Sequence, residues 1–223
     1  MHIIAHRGAS YYEPENTLIS LGRALKWKAD YIEFDVRKTQ DDHLVVIHDS
    51  KVDRTTNGTG KLSEMALNDV KKLDAGNRQL IPTLDEVLDL IGNKTRILLE
   101  IKQKGIEEEI LDKLTSYNLH DPLIASFYHS SVQKVKNINS NLETGIILAS
   151  QPVNVSSIAL EVNADAVFIK KKYLDQKMVK EVKNNNISIY PWVVDDLNQA
   201  KMFQEIGVSG IVTNKLFDKN KFF

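Results

Sequence analysis

Short apolar runs rich in β-branched residues alternate along this chain with longer stretches whose apolar positions recur every three to four residues. The short runs predict strands over 2–6, 31–39, 43–48, 96–102, 123–127, 143–148, 166–170, 187–194 and 210–213. The periodic stretches predict helices over 17–28, 83–91, 106–117, 130–139, 154–163, 175–185 and 197–206. Such alternation means βαβ units and a parallel sheet. With 31–48 taken as one strand that runs on into a hairpin, eight βα repeats remain, and these favour a closed (β/α)₈ TIM barrel over an open sheet. No glycine-rich dinucleotide fingerprint follows the first strand, so a Rossmann fold has no support. One domain spanning 1–223 is expected. Residues 49–82 carry Asn57-Gly58, Gly60, Gly76 and Pro82 and are too long for a plain connection. They are expected to be an insertion over the C-terminal face of the barrel. The Lys-rich tail from Leu216 to Phe223 reads either as a docked helix or as a frayed end.

Two of these strands carry charge on one face only. Glu33 and Asp35 alternate with Ile32, Phe34 and Val36, and Glu100 and Lys102 alternate with Ile97, Leu99 and Ile101. Residues two apart on a strand share a face. The apolar face packs against something, and the charges opposite need partners, an ion or a cavity, because a lone buried charge costs several kcal/mol. Glu33, Asp35 and Glu100 offer only oxygen, a set that suits one hard divalent cation, Mg²⁺ or Ca²⁺, better than Zn²⁺. The competing reading is a salt-bridge network inside the barrel, with Lys102 and Arg37 neutralising the acids. Lys102 serves either reading, since it can also meet a phosphate.

The first strand ends in His6-Arg7-Gly8, at the barrel end where catalytic groups sit. His6 is a candidate acid/base, although an ordinary strand-end histidine is the competing view of the tripeptide alone. Arg7 is a candidate anion clamp, because a guanidinium pairs bidentately with phosphate. If Asp41-Asp42 forms a two-residue hairpin loop, Asp35 opposes His48 and Val36 opposes Ile47, which puts His48 beside the acids. Asn16 or Thr17 caps the first helix, and Glu15 either complements that helix end or holds Arg7. Ser126, Phe127 and Trp192 lie at strand ends and are candidate walls for the organic part of a substrate, with plain barrel packing as the alternative. Lys170 is a weaker candidate for added positive charge.

Composition narrows the chemistry further. Net charge is −1 over 223 residues, so no general field recruits nucleic acid or an anionic membrane. Cysteine is absent, which removes thiolate metal sites and a cysteine nucleophile. The start Met1-His2-Ile3-Ile4-Ala5 lacks a signal-peptide pattern, and no apolar run reaches the ~18 residues of a membrane span. A cytoplasmic protein without stable membrane insertion is expected; the sequence does not fix its oligomeric state.

Taken together, His6-Arg7-Gly8-Ala9, Pro14-Glu15-Asn16-Thr17, Glu33-Phe34-Asp35-Val36, Val46-Ile47-His48-Asp49, Arg54-Thr55-Thr56-Asn57-Gly58, Pro82-Thr83-Leu84, Leu99-Glu100-Ile101-Lys102, Ser126-Phe127, Trp192 and the stretch from Gly207 to Thr213 resemble the glycerophosphodiester phosphodiesterase family over nearly the whole chain. The resemblance implies a (β/α)₈ barrel with a small insertion, in lipid and glycerol metabolism, that hydrolyses glycerophosphodiesters to sn-glycerol 3-phosphate and an alcohol with one divalent metal ion. It implies His6 and His48 as the acid/base pair, and Glu33, Asp35 and Glu100 as metal ligands. Arg7 and Lys102 would hold phosphate, Phe127 and Trp192 would line the pocket, and Glu15 would support Arg7. Three positions depart from the common pattern: Asn214 where Asp is frequent, Asp42 where a turn Gly is usual, and Val193 where Thr is frequent. A lysophospholipase D-like enzyme and a non-catalytic phosphate-binding barrel are the alternatives.

Overall fold

A computed structural model of the chain describes residues 1–217. In chain order its elements are β1 (His2–Ala5), α1 (Leu18–Lys26), β2 (Tyr31–Lys38), β3 (Leu44–Val46), α2 (Leu67–Val70), α3 (Leu84–Ile91), β4 (Arg96–Ile101), α4 (Glu107–Ser116), β5 (Leu123–Ser126), α5 (His129–Ile138), β6 (Glu143–Leu148), α6 (Val155–Glu161), β7 (Ala166–Lys170), α7 (Gln176–Asn184), β8 (Ser188–Trp192), α8 (Leu197–Glu205) and β9 (Gly210–Thr213). Strands β1, β2 and β4 to β9 pair in parallel order, and β1 bonds to both β2 and β9, which closes the sheet. The expected (β/α)₈ barrel is therefore present, with β3 added antiparallel to β2. Of the tail, residues 218–223 lie outside the described part. No helix among the described residues is long and apolar enough to cross a membrane.

Alternation decides which side chains face inward. Ile32, Phe34 and Val36 are fully buried beneath the helices, in one cluster with Leu21, Leu84, Leu88 and Leu99. Each contributes ~1.5–3 kcal/mol on burial, so the outward face fixes β2 while the inward face is free to carry charge. The barrel interior is a separate cluster of Ile4, Tyr31, Leu98, Leu123, Ala125, Ile147, Phe168, Tyr190 and Val212. Glycine makes room there: a Cβ on Gly145 would lie 2.6 Å from the Phe168 ring. Helix starts follow the side-chain chemistry. Thr17 caps α1, accepting from Ser20 N, and Thr83 with Glu86 forms a reciprocal capping box on α3.

The hairpin differs from the expected register by one residue. Val36 opposes Val46, and Ile47 N donates to Asp35 O at 2.9 Å, so Ile47 and not His48 sits opposite Asp35. The loop has three residues, not two. Thr39 N donates to His43 O, and the Thr39 hydroxyl accepts from His43 N and donates to Asp41 Oδ1. Asp42 takes the left-handed conformation, φ 63°, the role a glycine usually fills in this loop class. β3 then ends at Val46, short of the expected 48. The chain continues through a satellite core of Val45, Ile47, Val52, Leu62, Val70, Ala75 and Ile81.

Candidate active site

The inward face of β2 and β4 brings the acids together. Asp35 is the direct register partner of Glu100, and Glu33 is that of Leu98. One carboxylate oxygen from each of Glu33, Asp35 and Glu100 lies within 4.8 Å of the others, and all three residues are buried. Glu33 Oε2 accepts from Arg7 N at 2.6 Å, and Asp35 Oδ2 accepts from Asn16 Nδ2 at 2.8 Å and sits 3.2 Å from Arg7 Nε. Lys102 Nζ lies 2.7 Å from Glu100 and 3.8 Å from Asp35 Oδ1. Glu33 Oε1 and Asp35 Oδ1 remain buried with no hydrogen-bond partner among the described residues. Asp35 Oδ1 has only the 3.8 Å approach of Lys102, and Glu33 Oε1 has no ion pair among the described residues, so a cation seat accounts for these oxygens better than a plain salt-bridge network. Arg37, expected as a neutraliser, pairs with no acid among the described residues: its Nε donates to His48 O at 2.7 Å.

Electrostatics agree with crowding of like charge. Burial, then Asp35, pushes the Glu33 carboxyl well above its ordinary value. Burial, then Asp35, also pushes Glu100 up to about 7 against the pull of Lys102. Burial raises Asp35 as well, but Arg7, then Lys102 and His48, overrule it and hold that carboxyl below its usual range. A divalent ion would offset this repulsion, so the residues fit such a group.

Both candidate histidines border one cavity of about 130 Å³, with Arg7, Glu33, Glu100, Lys102, Phe127 and Trp192. His6 Nδ1 meets Asn214 Oδ1 at 2.7 Å. The amide orientation follows from its neighbour: Asn214 Nδ2 donates to the acceptor-only Asp195 carboxylate at 2.8 Å. His6 therefore carries its proton on Nδ1 and leaves Nε2 bare. Burial first, then Arg7, pushes His6 down to about 4. His48 Nδ1 lies 2.5 Å from the Asp49 carboxylate, which Arg54 also grips. Arg54 in turn reaches Glu15, and Glu15 accepts from Arg7 Nη1 at 2.8 Å. Arg7 itself has φ 54°, a left-handed backbone that costs a non-glycine residue roughly 1 kcal/mol. The bond from its N–H to Glu33 holds it there.

A family model described as the glycerophosphoryl diester phosphodiesterase family matches residues 6–216. The chain belongs to this family. It is 38% identical over 226 residues to a glycerophosphodiester phosphodiesterase of Caldanaerobacter subterraneus, covering 95% of this chain and 93% of that protein. It is 36% identical to the glycerophosphodiester phosphodiesterase of Bacillus subtilis, covering 98% and 85%. Among solved structures, an Oleispira antarctica phosphodiesterase in complex with the product sn-glycerol 3-phosphate superposes with TM-score 0.90 at 26% identity, over 96% and 93% of the two chains. As a member of this phosphodiesterase family, the chain is a phosphoric diester hydrolase that acts on glycerophosphodiesters, in a family generally dependent on a divalent metal.

Other residues at this phosphodiesterase site were placed differently by sequence reasoning, or not at all. Ser126 does not border the cavity; its hydroxyl bonds to Ile101 O. Phe127 and Trp192 do, packed edge to face with centroids 5.8 Å apart. Lys170 Nζ stands 5.9 Å above the Trp192 ring. Of the two cap candidates only Thr17 caps, and Asn16 (φ 58°) binds Asp35 instead. Asp195, Asp49 and Ser10 had no role in the sequence. Asp195 meets its partners at the end of β9, whereas Asp49 adjoins His48 and Ser10 donates to His6 O four residues back, so only for the last two is there a local signal.

Proposed function

We propose that this chain hydrolyses glycerophosphodiesters to sn-glycerol 3-phosphate and an alcohol by two-histidine acid/base catalysis beside one divalent ion. The observation that carries the reading is that His6 and His48 border one cavity with three acids, two of which keep buried oxygens without a hydrogen-bond partner among the described residues. Glu33, Asp35 and Glu100 would hold the ion, and their all-oxygen set suits Mg²⁺ or Ca²⁺. When bound, such an ion supplies Lewis-acid charge stabilisation to a phosphoryl oxygen.

The two imidazoles divide the proton work. His6 has a neutral amide on Nδ1 and a bare Nε2, so it removes a proton from the attacking oxygen, either water or the substrate's own glycerol 2-hydroxyl. His48 has an anion, Asp49, on Nδ1, which favours the imidazolium, so it delivers a proton to the departing alkoxide. Burial first, then Arg7 and Lys102, outweigh Asp35 and Asp49 and bring the free His48 below its ordinary value; the negative charge of a bound phosphodiester would draw the proton back. Arg7 and Lys102 offset charge on the non-bridging oxygens, most strongly at the transition state. Phe127 and Trp192 would flank the glycerol carbons. Residues 49–82 would fold over the C-terminal face and supply Asp49 and Arg54 as supports.

Release of sn-glycerol 3-phosphate, followed with and without EDTA, tests the reading. His6→Ala and His48→Ala should each lower turnover by at least ~10²-fold with KM little changed. Near-normal turnover in both variants, or full activity after chelation, would overturn it.

A further inference from the structure

A second, wider groove of about 550 Å³ adjoins the catalytic cavity and shares His48, Glu100, Lys102 and Phe127 with it. His6 borders only the inner cavity, with Arg7, Glu33 and Trp192 and an apolar floor of Leu98, Ala125, Ile147, Phe168 and Val212. If His48 protonates the departing alkoxide, that alkoxide must leave on the side His48 shares, into the wider groove. The groove's remaining walls are Arg37, Asp49, Ser50, Lys51, Ile101 and Tyr128.

The charge of that groove is unbalanced. Asp49 is taken by His48 and Arg54, each at 2.5 Å, and Glu100 is taken by Lys102 at 2.7 Å. Arg37 and Lys51 form no ion pair among the described residues; the one side-chain bond of Arg37 is Nε to the His48 carbonyl. Its guanidinium is partly withdrawn from water, and burial pulls its pKa down despite the opposing field of Asp35, Asp49 and Glu100, none of which pairs with it among the described residues. The aromatic walls do not compensate as a cation cage. Lys102 Nζ already stands 5.3 Å from the Phe127 centroid, and Lys104 Nζ stands 5.2 Å from that of Tyr128. An incoming ammonium would meet ammonium groups rather than open ring faces.

We propose that this groove is the leaving-group subsite and that it selects diesters whose alcohol carries an anionic group, a carboxylate or a further phosphate, over those carrying a quaternary ammonium. The inference rests on the catalytic reading above and adds the substrate class. Arg37 donates through its free Nη groups and Lys51 through Nζ, each a charge-assisted bond to the anion.

The test is kcat/KM on three diesters, glycerophosphoinositol 4-phosphate, glycerophosphoinositol and glycerophosphocholine, with sn-glycerol 3-phosphate release as the common readout. The inositol pair differs only in the added phosphate. The phosphorylated diester should exceed its neutral match by about tenfold and the choline diester by more, with the advantage shrinking as salt is raised. In Lys51→Gln and Arg37→Gln, the ratio of phosphorylated to neutral diester should fall several-fold within each variant. That ratio is insensitive to misfolding or to a shifted His48, which would slow both substrates alike. Equal turnover of all three, or preference for choline, overturns this inference and leaves the hydrolase reading standing. No release from any diester overturns the hydrolase reading and this inference with it.

Discussion

Exchanging the identities of Asp195 and Asn214 is the sharpest probe of the proposed base, His6. In the native pair a neutral amide oxygen lies 2.7 Å from His6 Nδ1, and the carboxylate stands one side chain further back. In the double variant Asp195→Asn with Asn214→Asp, the same hydrogen bonds can form, but the negative charge touches the imidazole. Two charges centred ~4 Å apart interact by about 4 kcal/mol at an effective dielectric of 20. Subtracting the amide dipole that is lost, and the more distant carboxylate that is also lost, leaves roughly 1.4–2.7 kcal/mol, or one to two pH units. The sign is fixed: a nearer anion favours imidazolium and raises the His6 pKa from about 4, so the base is protonated up to a higher pH. The acidic limb of kcat/KM against pH should therefore move up by ~1–2 units, while the rate well above it is kept. The assay is sn-glycerol 3-phosphate release from pH 4 to 9 at fixed salt, with Tm and circular dichroism confirming the fold. An unmoved acidic limb in a folded variant refutes His6 as the base.

Three more outcomes follow from the geometry. Glu100 is raised from its ordinary 4.5 to about 7, so the folded state binds its proton more tightly than the unfolded chain. After EDTA treatment, stability should fall by roughly 3 kcal/mol between pH 4.5 and 7 from this group alone. Urea unfolding across that window should show the fall, and added Mg²⁺ should flatten it. Gly145→Ala, which drives a methyl into the Phe168 ring, should cost ~1–3 kcal/mol in urea unfolding; an unchanged midpoint would mean the interior relaxes around it. Trp192 Nε1 is buried without a hydrogen-bond partner among the described residues, on a ring that borders the cavity. Trp192→Phe should raise KM for a glycerophosphodiester about tenfold, as expected for one lost hydrogen bond of ~1.5 kcal/mol; an unchanged KM would remove it as a donor to substrate.

Much of the architecture was legible because single-strand alternation carries it. Glu33 and Asp35 against Ile32, Phe34 and Val36 told which face met the helices before any pairing was known, and Glu100 on β4 followed the same logic. Register across the hairpin was not legible. It depended on Asp42 accepting a left-handed backbone and on the Thr39 hydroxyl capturing His43, a choice that one residue's side chain makes and periodicity does not record. His48 nevertheless borders the cavity, because Arg37 pins its carbonyl after β3 has ended. The Asp195–Asn214–His6 chain was invisible for a different reason. It joins β1 to the ends of β8 and β9, up to 208 residues apart, and no local pattern encodes such a meeting. Ser126 takes the packing alternative, because its hydroxyl serves the backbone of the neighbouring strand.

The carboxylate at position 33 does two jobs at once. One oxygen anchors the turn that holds Arg7, and the other is unclaimed. A glutamine there would have its carbonyl claimed by the Arg7 amide and would have to turn its NH₂ toward the other acids. Swapping that single oxygen for nitrogen would put a donor where the proposed ion would sit, with the loop beside it left intact.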